Sequence, residues 1–212
     1  MPALVQKLHP ALRPGQQLML AGTRQPLFSR QGDWDGGSAL HCIAMALAML
    51  GMLADPVDVR AYASGPAAHF WDRAWPHYLH GLTPSGLASF VWELNTGVQP
   101  VQVEGSPAEL VRFCAQELNA GWPVIVWIIN HRTDDRHAAL VVGIEERDMI
   151  AKALLLLDPA GTAPVLGVCN ARLEPGESYA SYITPETSVR ADVDGAVSIR
   201  ALEESATGAC CA

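Results

Sequence analysis

The chain has 212 residues, of which half are apolar and 17% are charged, and its formal net charge is −8. This length suffices to bury one hydrophobic core. The negative charge argues against nucleic acid as a partner, because nucleic-acid binders show clustered Lys and Arg. The longest apolar stretches, 39–53 and 124–129, are too short or too interrupted for a helix that spans a bilayer.

The beginning of the chain predicts a cytoplasmic protein. No basic segment is followed there by an uninterrupted apolar core and a cleavage site, so we expect no secretory signal. The cysteines form an odd, unevenly spaced set without CxxC pairs, which favours reduced thiols. They are Cys42, Cys114, Cys169, Cys210 and Cys211. The last two could indicate lipidation, metal capture or oxidation sensing, or simply a tail without function.

The first half of the chain is mainly helical in its pattern. Residues 1–30 predict an ordered lead-in with a short strand at 17–20. The almost wholly apolar run 39–50, which ends at Gly51, predicts a buried helix with a glycine stop. Further helices are expected at 56–64 and 83–94, since Pro56 and Pro84 suit a first helical turn.

The second half is mainly strands. A strand is predicted at 98–103 and a helix at 106–119, which opens with the N-cap pattern Ser-Pro-Ala-Glu. The apolar runs 124–129, 137–144 and 153–157 predict adjacent strands of a buried sheet, and 178–183 and 196–202 are weaker strands.

Because helices precede strands, we expect an α+β fold: an N-terminal helical part, with a buried active-site helix, packed on a mainly antiparallel β-sheet. The expected organisation is a lead-in over 1–30, one enzyme-type domain over 31–203 and a flexible tail over 204–212.

A polar, turn-forming stretch, Gln31-Gly32-Asp33-Trp34-Asp35-Gly36-Gly37, delivers Ser38 to the start of the buried helix. A helix N-terminus presents unpaired N–H groups and partial positive charge, which stabilise a thiolate or a developing oxyanion. Gln31 could add a side-chain donor to such an oxyanion hole. Alternatively, Ser38 is only the N-cap of the helix.

A histidine and an aspartate stand at matching ends of two predicted strands. His137 begins one apolar strand, and Asp158 closes the next. In an antiparallel pair these ends lie side by side, so the carboxylate could orient the imidazole and support its positive charge. Taken singly, a loop histidine and an Asx-Pro turn would explain them. Together with Gln31 and Ser38 in this order, they indicate a nucleophilic site.

These residues carry a specific resemblance. The segment from Gln31 to Ser38, the Ala-rich helix after it, His137 and Asp158 resemble the papain-like cysteine peptidases related to the double-glycine-leader, bacteriocin-processing family. The resemblance covers roughly residues 31–159. It implies a papain-like fold, Gln31 as oxyanion donor, Ser38 at the nucleophile position, His137 as base and Asp158 as its orienting partner.

Serine departs from the family pattern, which uses a cysteine thiolate. A hydroxyl stays protonated until a base removes its proton during attack. Three explanations stand open: a substitution made to trap substrate, a natural pseudo-enzyme that only binds, and a natural serine-using variant. A shifted register would make Cys42 the nucleophile, although a thiol one turn into an apolar helix is usually a small buried hydrophobe.

Other side chains offer weaker signals. His41, His77 and His80 lack acidic or cysteine partners at ligand spacing, so we expect neither a metal site nor a cofactor. Trp34 and Gly37 flank the nucleophile position and are the expected substrate contacts.

Three functions follow from the sequence. The first is a hydrolase that cleaves a peptide or amide bond through Ser38, His137 and Asp158. The second is an inactive pseudo-peptidase that binds a peptide or protein, and the third is an acyl transferase or deamidase. In each, the partner is a peptide or protein, and no oligomeric state follows from the sequence.

Overall fold

A computed structural model describes residues 3–15, 17–32, 36–56, 65–165 and 167–202. This part of the chain contains four short α-helices and a 3-10 turn at Trp75–His77. The helices are α1 (Ser38–Met49), α2 (Pro66–Ala74), α3 (Pro84–Leu94) and α4 (Pro107–Asn119).

The described chain also contains ten strands. They are β1 (Val5–Leu8), β2 (Leu12–Arg13), β3 (Met19–Leu20), β4 (Val98–Val103), β5 (Val124–Asn130), β6 (Arg136–Arg147), β7 (Ile150–Leu157), β8 (Ala171–Glu174), β9 (Ala180–Ile183) and β10 (Ser188–Ala201). Each strand from β5 to β9 pairs antiparallel with the next one along the chain, and β10 pairs back with β5. The result is a closed six-stranded meander barrel, to which β1 is added beside β6 and β4 beside β10.

The expected α+β, papain-like fold with a helical N-terminal part is therefore wrong. The chain opens with strands rather than helices, and the sheet closes into a barrel instead of remaining an open layer. Closure pairs both outer strands of the meander and leaves it no free edge. The expectation failed because β8 lies in a loop-rich region and β10 begins eight residues before its predicted start.

Several individual elements are confirmed. The predicted helices at 39–50, 83–94 and 106–119 are α1, α3 and α4. Ser106 and Glu109 form the expected capping box of α4. The strand predictions at 98–103, 124–129, 137–144 and 153–157 correspond to β4, β5, β6 and β7. The helix expected at 56–64 lies outside the described residues after Pro56.

Strands β5, β6 and β7 bury both of their faces over most of their length. Alternate residues of β5, such as Val126, point into the barrel together with side chains from all five other barrel strands, and α4 packs on this core. The intervening residues, such as Ile125, pack outward against α1 and α3. All twelve residues of α1 are buried, so the helix that carries Ser38 is held between the barrel and the other helices. Within the described ranges, no helix is long and apolar enough to cross a membrane.

Gly143 allows β1 to lie against β6. A Cβ atom at this position would stand 2.7 Å from the carbonyl oxygen of Lys7 and 2.9 Å from Cδ2 of Leu8. We expect Gly143→Ala to lower the free energy of unfolding by about 1–3 kcal/mol, because the backbone of β1 must move. Urea unfolding measures this change. Gly22→Ala is the matched control, since no atom lies within 4 Å of a Cβ there; equal effects of the two variants would contradict the packing.

Candidate active site

Ser38 is the first residue of α1 and not its N-cap. Gly37 occupies the cap position, and no side chain of the described residues forms a capping hydrogen bond there. The Ser38 hydroxyl oxygen instead accepts a hydrogen bond of 3.1 Å from the backbone N–H of Ala138 in β6. The alternative in which Ser38 serves as a capping residue is therefore wrong, and its side chain is directed at the barrel.

The end of β7 makes the Ala138 N–H available. The last pair of the β6–β7 ladder joins Leu140 to Leu157. Ala138 lies beyond this pair, so on that side its N–H has no strand partner and donates to Ser38. A donor aimed at the hydroxyl oxygen stabilises negative charge on that atom, and the hydroxyl keeps its own proton to give to a base.

His137 and Asp158 meet at the same end of the barrel, as the antiparallel pairing of β6 and β7 predicts. His137 Nε2 lies 3.3 Å from Oδ2 of Asp158. This is an ion-pair distance, and Nε2 makes no hydrogen bond of good geometry within the described chain. Hydrogen bonds of catalytic groups commonly tighten only when substrate is bound. A proton on Nε2 facing Asp158 leaves Nδ1 as the basic nitrogen.

The Asp158 carboxylate is buried and has three donors around it. Oδ1 accepts from the backbone N–H of Ala160 at 2.9 Å, which is the Asx turn that the sequence also suggested. Oδ2 accepts from the hydroxyl of Tyr182 and faces His137. Burial alone would raise the pKa of the Asp158 carboxyl, but His137, Tyr182 and Ala160 together hold that pKa below its ordinary value. Asp158 is therefore ionised at neutral pH.

The side chain of Asn170 forms hydrogen bonds with the backbone of Asp158. Its side-chain oxygen accepts from the Asp158 N–H at 2.7 Å, and its amide nitrogen donates to the Asp158 carbonyl at 2.8 Å and to the Thr162 carbonyl at 3.0 Å. The same turn binds the segment of Gln31, whose N–H donates to the carbonyl of Pro159 at 3.0 Å. Gln31 thus lies beside the loop that carries Asp158, and its role as oxyanion donor stays a prediction.

The loop 78–82 packs against the turn that precedes Ser38. The N–H of Gly36 donates to the carbonyl of Tyr78 at 3.1 Å, and a Cβ on Gly36 would stand 2.9 Å from the nitrogen of Gly81. Trp127 of β5 anchors this loop by donating its ring N–H to the Leu82 carbonyl at 3.0 Å. The turn before the nucleophile position is therefore packed backbone to backbone against a second anchored loop.

The other sequence candidates lie apart from this chemistry. Cys42 is fully buried in α1, and burial, followed by the nearby charge of Asp158, raises the pKa of its thiol well above its ordinary value. A protonated, inaccessible thiol is a poor nucleophile. His41 is buried, and its Nδ1 lies 2.8 Å from the hydroxyl oxygen of Ser29, within hydrogen-bond distance. The ring of His77 packs on Phe90. No group of three or more metal-binding side chains occurs among the described residues.

Gly37 is the N-cap of α1, and its expected contact with substrate stays a prediction. Trp34, Cys210 and Cys211 lie outside the described residues. Their predicted roles, like the catalytic roles of Gln31, Ser38, His137 and Asp158, stay predictions.

Two residues that contact Asp158 were absent from the sequence interpretation. Tyr182 and Asn170 both contact Asp158, yet they come 24 and 12 residues after it in the chain. A polar side chain inside the apolar alternation of β9 was the available signal for Tyr182. No local pattern pointed to Asn170, since its partners are backbone groups of a distant turn.

The comparison of this chain with protein-family models finds no match, and no curated protein is similar enough to be matched.

Asn170 offers a direct test of the Asp158 turn. We expect Asn170→Ala to lower the free energy of unfolding by about 2–4 kcal/mol, because it leaves the buried Asp158 N–H without an acceptor. Chemical unfolding measures the loss. Asn119→Ala, at an exposed position, is the control and should change stability by less than about 0.5 kcal/mol. A loss no larger than that of the control would contradict the role given to Asn170.

Proposed function

We propose that the protein is a hydrolase that cleaves a peptide or amide bond, with Ser38 as nucleophile and His137 as base. The observation that carries this proposal is the convergence at one end of β6. His137 contacts Asp158 at 3.3 Å, and the next residue, Ala138, donates its N–H to the Ser38 hydroxyl. The Ser38 hydroxyl is thus bound to the backbone beside the histidine that faces Asp158, and this supports the nucleophile, base and orienting carboxylate that acyl transfer requires.

The reaction follows from the positions of these groups. His137 takes the hydroxyl proton as Ser38 attacks the substrate carbonyl, and Asp158 stabilises the imidazolium that forms. The oxyanion of the tetrahedral intermediate is stabilised by N–H groups at the start of α1 and by the amide of Gln31. His137 then gives the proton to the leaving amine, and water, activated by the same base, releases the acyl group from Ser38.

The resemblance of residues 31–38 to the double-glycine-leader peptidases adds support for a peptide substrate, although the closed barrel is not the fold which that resemblance implied. A second support is the apolar surface of the loop beside the site. Trp75 and Leu79 are 72% and 71% exposed, and Trp75 stacks on Tyr78, whose carbonyl binds Gly36. Such exposed apolar side chains are typical of contact surfaces for peptides or proteins.

The free thiols of Cys42, Cys114 and Cys169 support the cytoplasm as the place of action.

A binding function without turnover is the second candidate. Ser38 is only 8% exposed, and its oxygen already accepts a hydrogen bond. The low exposure slows attack, because a substrate carbonyl must reach the hydroxyl while its base is in place. In this alternative a peptide binds at the same site and is not cut.

The test compares four forms of the chain on a peptide mixture, with cleavage followed by mass spectrometry and ammonia release followed in parallel. The unchanged protein should cleave, whereas Ser38→Ala and His137→Ala should lose at least about 100-fold of the rate. Ser38→Cys should retain cleavage, because a thiol beside an imidazole ionises more readily. Ammonia without cleavage would indicate a deamidase.

His131→Ala is the matched control, since His131 lies on the neighbouring loop and pairs with Asp192 at an exposed position. It should leave the rate unchanged. If the unchanged protein and Ser38→Cys bind peptides yet neither cleaves them, the hydrolase proposal is wrong and the binding function stands.

A further inference from the structure

We propose that Tyr182 is a positioning residue of this site, which holds Asp158 and His137 in their working arrangement through one hydroxyl and one ring edge. The inference rests on the proposed function and adds a residue from the barrel interior to it. No motif in the sequence links Tyr182 to the other site residues.

Tyr182 is anchored in the barrel core. It lies in β9, opposite Leu173 of β8 and Val189 of β10. Its side chain belongs to the cluster that fills the barrel, and only 5% of the residue is exposed. Since both neighbouring strands and the packed interior restrain the ring, the position of its hydroxyl is set by the barrel and not by a mobile loop.

Two contacts connect Tyr182 with the proposed catalytic pair. Its hydroxyl donates to Oδ2 of Asp158, the same oxygen that faces His137. Its ring meets the imidazole of His137 edge to face, with 5.4 Å between the ring centroids and 67° between the ring planes. One side chain therefore fixes the direction of the carboxylate and limits the rotation of the imidazole.

The hydroxyl of Tyr182 stabilises the negative charge of the Asp158 carboxylate by donating a hydrogen bond to it. Burial, together with the nearby Asp158 carboxylate, raises the pKa of the Tyr182 hydroxyl, so that it stays a proton donor at every physiological pH. Removing this donor leaves Oδ2 facing His137 alone, while Ala160 continues to hold Oδ1. The carboxylate is then less stabilised and less well directed.

Tyr182→Phe isolates the hydroxyl, because the ring and its packing remain. Tyr179→Phe is the matched control: Tyr179 lies three residues earlier in the chain, its ring stacks under Arg190, and it is not among the groups that act on Asp158. The first readout needs no substrate. The carboxyl carbon of Asp158 is titrated by NMR in the unchanged protein and in both variants, and thermal unfolding shows that each variant is folded.

The expected result is a higher pKa of Asp158 in Tyr182→Phe and an unchanged pKa in Tyr179→Phe. The direction of this pKa change can be checked by the pH dependence of the protein's stability. A lowered carboxyl pKa contributes stability above the ordinary Asp pKa of about 3.9, and this contribution is lost as the pH falls through the lowered value. Tyr182→Phe should therefore lose stability at a higher pH on acidification. An Asp158 pKa equal in all three forms would overturn the proposal, whatever the protein does to peptides.

The second readout is the rate of peptide cleavage. We expect kcat of Tyr182→Phe to fall about tenfold with KM unchanged, because the hydroxyl orients the base and does not touch the substrate. Tyr179→Phe should keep both constants. Equal kcat in Tyr182→Phe and the unchanged protein would overturn the positioning role. A protein that cleaves nothing, yet shows the Asp158 shift, would refute the hydrolase proposal while keeping Tyr182 as the residue that orients Asp158.

Discussion

The pairing of β6 with β7 is the constraint on which the site depends. Because the ladder ends at Leu140 and Leu157, it places His137 and Asp158 just beyond its last pair and frees the N–H of Ala138 for Ser38. A shift of one residue would turn every side chain of β7 to the opposite face and would separate Asp158 from His137. The large apolar side chains of β7, buried inside and outside the barrel, oppose such a shift.

A buried carboxylate is the costly element of this arrangement. An ionised group removed from water must be compensated by donors, and here they come from three directions: the turn at Ala160, the barrel strand with Tyr182 and the imidazole of His137. Asn170 adds rigidity by binding the backbone of the same residue. The barrel therefore does more than support α1, since its interior supplies a polar group directly to the site.

The sequence predicted the local elements better than the architecture. The apolar run of α1, the capping box at Ser106 and the Val-rich runs of β5 and β6 are strong signals that depend on neighbouring residues. It also predicted the meeting of His137 and Asp158, because that contact follows from one antiparallel hairpin. Barrel closure was missed because it depends on β8, a strand of four residues that is stabilised by its partners. Tyr182 was missed for a similar reason, since its strand belongs to the same barrel, and Asn170 was missed because its contacts form within the loop that joins β7 to β8.

The central claim is that Ser38 is a nucleophile activated by His137. It is tested most directly by treating the folded protein with a fluorophosphonate and locating the adduct by peptide mass spectrometry, with and without His137→Ala. We expect a phosphonylated Ser38 in the unchanged protein, and little or no adduct in His137→Ala or after unfolding. Absence of an adduct on Ser38, or equal labelling of Ser38 with and without the histidine, would contradict it.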